Sequence, residues 1–239
     1  GAIEELLPRK NELVRPPVAN LGQRVILTAL ADPAPDLRLI DRLTVFAQWN
    51  EVTPVLCFNK ADLVNQEAQD KLKEIYGPTG FPMVFCSTVT GEGIEEVKAL
   101  LHGKFSVLAG NSGVGKSSLM NAISDRWNLA TGHVSEKLGR GRHTTRHVEL
   151  FQLDSETLLA DTPGFSTLTV PEDIKREELS RLFPEFLDRL GDCRFATCMH
   201  KNEPDCAVKH ALANGEVAQS RYDNYLAFLE EVIQQERSF

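Results

Sequence analysis

This sequence predicts an α/β fold with a mainly parallel sheet, followed by a small helical unit stapled by a metal, and three observations predict it. From residue 23 to residue 172, short apolar runs of strand length alternate with stretches of helical period, the pattern of a parallel sheet covered on both faces. A glycine-rich loop, Gly110-Asn111-Ser112-Gly113-Val114-Gly115-Lys116-Ser117, stands between one such strand and a helix. Beyond the alternating region, three cysteines and a histidine crowd between Cys193 and Cys206 in a charged tail.

Composition bounds the answer. A chain of 239 residues can bury a sizeable core in one or two domains, and 42% hydrophobic with 25% charged residues belongs to an ordinary globular protein. The formal net charge of −8 argues against nucleic-acid binding by the whole surface and leaves room only for a local basic patch. No apolar run nears the roughly 20 residues that span a bilayer, and no signal peptide opens the chain. A cytoplasmic protein without a membrane role is expected. Five cysteines, three of them clustered, favour a metal site over disulfides.

The first 22 residues mix charge and proline without a strand or helix period and read as a stub or linker. Val25 to Leu30 has the length and branching of a buried strand. After the turn Asp32-Pro33-Ala34-Pro35-Asp36, the residues Leu39, Ile40, Leu43, Phe46 and Ala47 make one helical stripe. Strands follow at Val52 to Phe58 and Pro82 to Cys86, with a helix over Gln66 to Ile75 between them. Phe105 to Ala109 is the strand before the glycine-rich loop, and Ser118 to Ile123 continues as a helix. His147 to Leu153 and Thr157 to Ala160 read as a hairpin turned at Asp154-Ser155-Glu156. Ligands of such sheets bind at the carboxyl ends of the strands, where the motifs sit.

The loop at 110 fits GxxxxGK[ST] at each fixed position, in the strand, loop, helix context that gives the pattern its meaning. Backbone N–H groups of Asn111, Ser112, Gly113, Val114, Gly115, Lys116, Ser117 and Ser118 would cradle phosphates at a helix N-terminus. Lys116 would reach the β and γ phosphates, and the Ser117 hydroxyl would ligate Mg²⁺. Asn59-Lys60-Ala61-Asp62 fits NKxD: the Asp62 carboxylate accepts from the two N–H donors of guanine, which adenine lacks. Asn59 would hold the loop and contact the base edge, and the Lys60 stem would lie on the ring face. Ser87 and Thr88 occupy the place of a second base-supporting loop.

The basic stretch Gly139-Arg140-Gly141-Arg142-His143-Thr144-Thr145-Arg146 has no apolar period and reads as a loop. Thr144 or Thr145, the latter preferred, would close over Mg²⁺ and the γ-phosphate. Asp161-Thr162-Pro163-Gly164 fits DxxG, with Asp161 on Mg²⁺ and the Gly164 N–H sensing the γ-phosphate. Phe165 stands where many GTPases place a water-orienting glutamine, and His143 is the best substitute in the sequence for that role.

In the tail, Pro171-Glu172-Asp173 suggests a helix start. Cys193, Cys198, His200 and Cys206 supply three thiolates and an imidazole, a set that suits tetrahedral zinc with no open position and therefore a structural role. Zinc binding would supplement a core too small to hold the segment alone. Two helices follow, the first stopped at Gly215. The second carries a stripe of Tyr222, Tyr225, Leu226, Leu229 and Ile233, with Arg221, Asp223, Glu230 and Glu231 outside it. Phosphate-seeking charge would come from Arg176, Arg181, Arg189, Arg194, Lys201 and Lys209. Cys57 and Cys86 read as core residues.

Motif order is the last clue. The base-reading tetrad at 59 precedes the phosphate loop at 110 and DTPG at 161, whereas an ordinary small GTPase presents phosphate loop, switch Thr and DxxG before NKxD, so the domain is circularly permuted. With this order, the GRGRHTT loop and the Cys/His cluster, the chain resembles the RsgA family, also called YjeQ or YloQ, of small-subunit-dependent bacterial GTPases. The resemblance runs from Leu7-Pro8-Arg9-Lys10-Asn11 to Arg221-Tyr222. It implies an N-terminal OB-fold, here largely absent and represented by residues 1–22, then a permuted GTPase domain over 23–172 and a helical zinc domain over 173–239. It further implies GTP and GDP as ligands with Mg²⁺ and one Zn²⁺, and late assembly of the small ribosomal subunit and its rRNA as the setting. The family's water-positioning histidine falls on His143, and a monomer is expected. Two other readings compete: a nucleotide-controlled rRNA or ribosome-binding switch with negligible turnover, and a P-loop ATPase of unrelated function.

Overall fold

The computed structural model describes residues 11–13, 18–124, 127, 129, 149–161 and 169–237. Where a structureless linker was expected, β1 (Glu12–Leu13) and β2 (Val18–Ala19) pair antiparallel. The Asn11 side chain fastens this ribbon by donating to the Leu21 carbonyl and accepting from its N–H, both at 2.8 Å. A linker reading misses such a ribbon because two-residue strands carry no periodicity.

Next come β3 (Gln23–Ala29), β4 (Thr53–Asn59), β5 (Met83–Phe85), β6 (Phe105–Ala109), β7 (Glu149–Gln152) and β8 (Leu158–Asp161). They form one sheet in the order β5-β4-β3-β6-β8-β7. Every neighbour pair is parallel except β7 with β8, the expected hairpin. Central β3 is buried along its whole length, because helices cover both faces. Val25 and Leu27 face one side with Val55, Cys57 and Leu108, and meet α3 (Ile94–Leu101) and α4 (Lys116–Ile123). Ile26, Leu56 and Phe58 face the other, and meet α1 (Leu37–Trp49) and α2 (Gln66–Tyr76). Asp36 caps α1 by accepting from Leu39 N at 3.0 Å, and Asn65 caps α2 through Ala68 N at 3.1 Å. α3 is absent from the expectations above.

The tail holds α5 (Arg176–Leu179), α6 (Pro184–Leu187), α7 (Ala207–Ala213) and α8 (Gln219–Arg237). Pro171 starts a turn closed by Ile174 N at 3.2 Å, and the helix expected there begins only at Arg176. α7 stops as expected: Gly215 takes φ +75°, and Glu216 N bonds back to Ala211 O at 2.9 Å. The expectation of an undersized core is corrected, since Phe183, Phe186, Tyr225, Phe228, Leu229 and Val232 bury one another together with Val45 of α1. A second correction concerns α8. Arg221 is fully buried rather than outside the apolar stripe, while Leu226 and Ile233 are only partly covered. Among the described residues no helix is long and apolar enough to cross a membrane.

Candidate functional site

Parallel pairing puts the carboxyl ends of β4, β5, β6 and β8 at one edge of the sheet. Asn59, Ser87, the glycine-rich loop and Asp161 therefore share one site although more than a hundred residues separate the first from the last. The loop between Gly110 and Gly115 turns tightly under β3. A Cβ on Gly110 would lie 2.3 Å from Leu27 O. At Gly115, φ is +94° and a Cβ would meet Asn59 Nδ2 at 2.4 Å, so both positions demand glycine. α4 starts at Lys116 with no side-chain cap, which leaves its first N–H groups for an anion. Lys116 Nζ folds back on the loop and donates to Gly110 O at 2.7 Å and Asn111 O at 2.8 Å. Burial pulls its pKa down, and the nearby Asp161 carboxylate opposes that pull.

Asn59 is fully buried and joins the two halves of the site. Its Nδ2 donates to Val114 O at 2.9 Å, and its Oδ1 accepts from Thr88 N at 3.3 Å. Both ends of the carboxamide thus serve the protein, which supports the loop-holding half of the expected role. The next residue, Lys60, adopts a left-handed backbone (φ +63°) and its ammonium donates to Asp32 O. Asp62 is exposed at the rim. Ser87 is buried, and its Oγ organises the second loop by accepting from Val89 N at 3.2 Å and Thr90 N at 3.1 Å. Ser117 and Ser118 are half-buried in the first turn of α4. Asp161 ends β8 opposite Leu108 of β6, the strand that leads into the loop, and Ser117 opens α4 at the loop's other end; together they offer hard oxygens of the kind that fits Mg²⁺. His143, Thr144, Thr145 and Gly164 lie outside the described residues.

The sequence reading missed the contribution of the turn after β3. Pro33 lies against the glycine-rich loop, 3.8 Å from where a Gly113 Cβ would be, and Asp32 receives the Lys60 ammonium. Its signal was position, at the carboxyl end of the central strand.

The tail brings its four expected ligands together: the ligand atoms of Cys193, Cys198, His200 and Cys206 lie within 4.8 Å of one another. Cys193 Sγ is 3.6 Å from His200 Nδ1 and 3.9 Å from Cys206 Sγ, and His200 Nδ1 is 3.3 Å from Cys206 Sγ. A zinc tetrahedron with Zn–S arms of about 2.3 Å has edges of about 3.8 Å, so the donors sit at edge distances of such a site. Burial pushes the Cys198 thiol up to about 12 and the His200 imidazole down. The neutral ring is the ligating form, and a cation is what would displace the thiol protons. Tyr222 Oη donates to His200 O at 2.6 Å and Tyr225 Oη to Met199 O at 2.8 Å. Glu203 accepts from the N–H groups of Met199, Lys201 and Asn202. These bonds hold the ligand loop from outside. The proposed phosphate-seeking cations fare less well: Arg176, Arg189, Arg194 and Lys201 each pair with a carboxylate.

A family profile described as RsgA GTPase matches residues 6–171. The small ribosomal subunit biogenesis GTPase RsgA of Carboxydothermus hydrogenoformans is 52% identical over 100% of this chain and 81% of its own length. The crystal structure of YjeQ from Thermotoga maritima superposes with a TM-score of 0.80 at 40% identity, covering 96% of this chain and 78% of that one. That of YloQ, described as a circularly permuted GTPase, gives 0.79 at 37% identity over 97% and 75%. With its motifs gathered in permuted order on the same fold, the chain belongs to the RsgA GTPase family.

Proposed function

We propose that this GTPase is a late assembly factor of the small ribosomal subunit, with hydrolysis stimulated by that subunit, acting in the cytoplasm as a monomer. The observation that carries the reading is Asn59, whose side chain ties the base-reading strand to Val114 of the phosphate loop at 2.9 Å. Guanine recognition and phosphate binding thus belong to one site. The relative in Carboxydothermus hydrogenoformans carries the name of a small-subunit biogenesis GTPase, which supports the ribosomal setting. Residues 23–172 form the permuted GTPase domain, and 173–239 form a zinc-stabilised domain that docks on rRNA.

In this mechanism Asp62 selects guanine by accepting its two N–H donors, and Lys60 packs along the base. Backbone N–H groups from Asn111 to Ser118 hold the phosphates, and Lys116 exchanges its bonds to Gly110 O and Asn111 O for phosphate oxygens. Ser117, Asp161 and Thr145 would hold Mg²⁺, which supplies charge neutralisation on the β and γ phosphates. Gly164 N–H contacts the γ-phosphate. His143 orients water for attack on the γ-phosphorus as the bond to the GDP oxygen breaks, giving GDP and phosphate.

Two measurements test the reading. Excess ATP should fail to displace a labelled guanine nucleotide, and effective displacement would remove Asp62 from base selection. His143→Ala should keep nucleotide affinity and lose stimulated turnover by about 10²-fold or more, whereas an unchanged rate would exclude it from the chemistry.

A further inference from the structure

One buried ionic cluster serves neither the nucleotide site nor the Cys/His cluster. Arg221 of α8 donates from Nε and Nη2 to Glu185 of α6 at 2.7 and 3.0 Å, and from Nη1 to Asp41 of α1 at 2.8 Å. Asp41 also accepts from Tyr76 Oη, at the end of α2, at 2.9 Å, and from Asn224 Nδ2 at 2.6 Å. Asp41 and Arg221 are 0% exposed and Glu185 4%. The guanidinium lies over the rings of Phe183 at 4.7 Å and Tyr76 at 5.6 Å. Such a cluster is a poor source of stability, because desolvation consumes most of the attraction. What it does supply is a discrete geometry, since two buried acids and one guanidinium cannot slide without leaving a charge unpaired.

The elements it joins give that geometry a use. α1 is gripped again one residue on, where Arg42 makes a two-pronged pair with Glu231 of α8 at 2.8 and 2.9 Å, and at its end, where Trp49 Nε1 donates to Asp173 at 3.1 Å. The other end of α1 grows out of the Asp32–Asp36 turn, which takes the Lys60 ammonium and lies against the glycine-rich loop. A cavity of about 240 Å³, lined by Pro33, Asp36 and Leu39 together with Gly110, Asn111 and Val114, lies beside that contact between turn and loop. α2, gripped at Tyr76, begins just after the Asn59–Leu63 segment. Both helices therefore run from the nucleotide edge to the cluster.

We propose that the α5–α8 unit and the guanine-nucleotide site regulate each other through α1, with Asp41, Glu185 and Arg221 as the clamp that transmits the coupling. This rests on the nucleotide reading above and names how that site is regulated. A nucleotide that engages Lys60 and the loop shifts the Asp32–Asp36 turn. α1, a stiff rod, carries the shift to the clamp. By linkage, a partner that draws on α6 or α8 changes nucleotide affinity by the same factor. The three residues position rather than catalyse, and the route is separate from the chain connection between β8 and α5.

Hydrogen exchange of the full chain tests it, with GDP and with a non-hydrolysable GTP analogue as probes. In the wild type either nucleotide should change exchange of α6 and the first turns of α8 relative to the nucleotide-free protein. In the uncharged variant Asp41→Asn/Glu185→Gln/Arg221→Met, which leaves no lone buried charge, that response should fall by about fivefold or more while the analogue still binds. Asp41→Asn alone, where Asn224 can turn its carboxamide to match, carries the same test if the triple variant does not fold. An undiminished response in a folded variant, or no response in a wild type that binds the analogue, would overturn the coupling. A wild type that binds neither nucleotide would instead overturn the functional reading.

Discussion

Asn59 shows how much one side chain can decide at this site. Two of its hydrogen bonds span 55 residues to Val114 and 29 to Thr88, and its Nδ2 is the atom that forbids a Cβ at Gly115. Asn59→Ala leaves the buried Val114 O and the half-buried Thr88 N without their partner, a loss of about 1–3 kcal/mol. Chemical denaturation should record that loss, and guanine-nucleotide affinity should fall by about tenfold or more; an unaltered affinity would mean that the loop holds its shape without Asn59. The pattern NKxD was legible in the sequence, but the partner was not, because no local signal encodes a contact 55 residues away. Arg221 was misread for the same reason. Periodicity assigns a charged residue to the solvent face, and only the fold reveals Asp41, 180 residues distant, and Glu185.

Among the elements, the central strands and α1 were legible because each buries an apolar run or stripe; α2 and α8 were legible from apolar period although only Leu72 and Tyr76 of α2 are buried and Leu226 and Ile233 of α8 are half-covered. α3 was missed although Ile94, Val97 and Leu101 point to one face, since eight residues after a glycine-rich turn give a short pattern. Gly93 is what lets the chain turn into α3. It holds φ +71°, and a Cβ there would sit 2.1 Å from Phe85 O. Gly93→Ala should cost about 1–3 kcal/mol from the backbone alone, and the contact with Phe85 adds to it. Thermal unfolding within a degree of the wild type would contradict this geometry. α5 and α6, at four residues each, carry no readable period, and their boundaries come from packing of Leu179, Phe183 and Phe186 onto α8.

Across the whole molecule, permutation was legible because it is written in motif order, whereas the union of sheet and tail was not. The tail has its own aromatic core and shares Val45 and Trp49 with α1. Stripping the zinc proposed for the Cys/His cluster should therefore loosen the loop from Cys193 to Cys206 while α8 stays folded. Chelation followed by hydrogen exchange should show fast amides confined to that loop, and collapse of α8 protection would instead make the metal the main support of the tail. The most direct measurement is phosphate release from GTP by the purified protein, with and without purified small ribosomal subunits. Slow release alone, a rise of about 10-fold or more with small subunits and none with ATP are expected. Equal rates with and without subunits, or equal use of ATP, would contradict a guanine-specific GTPase governed by the ribosome.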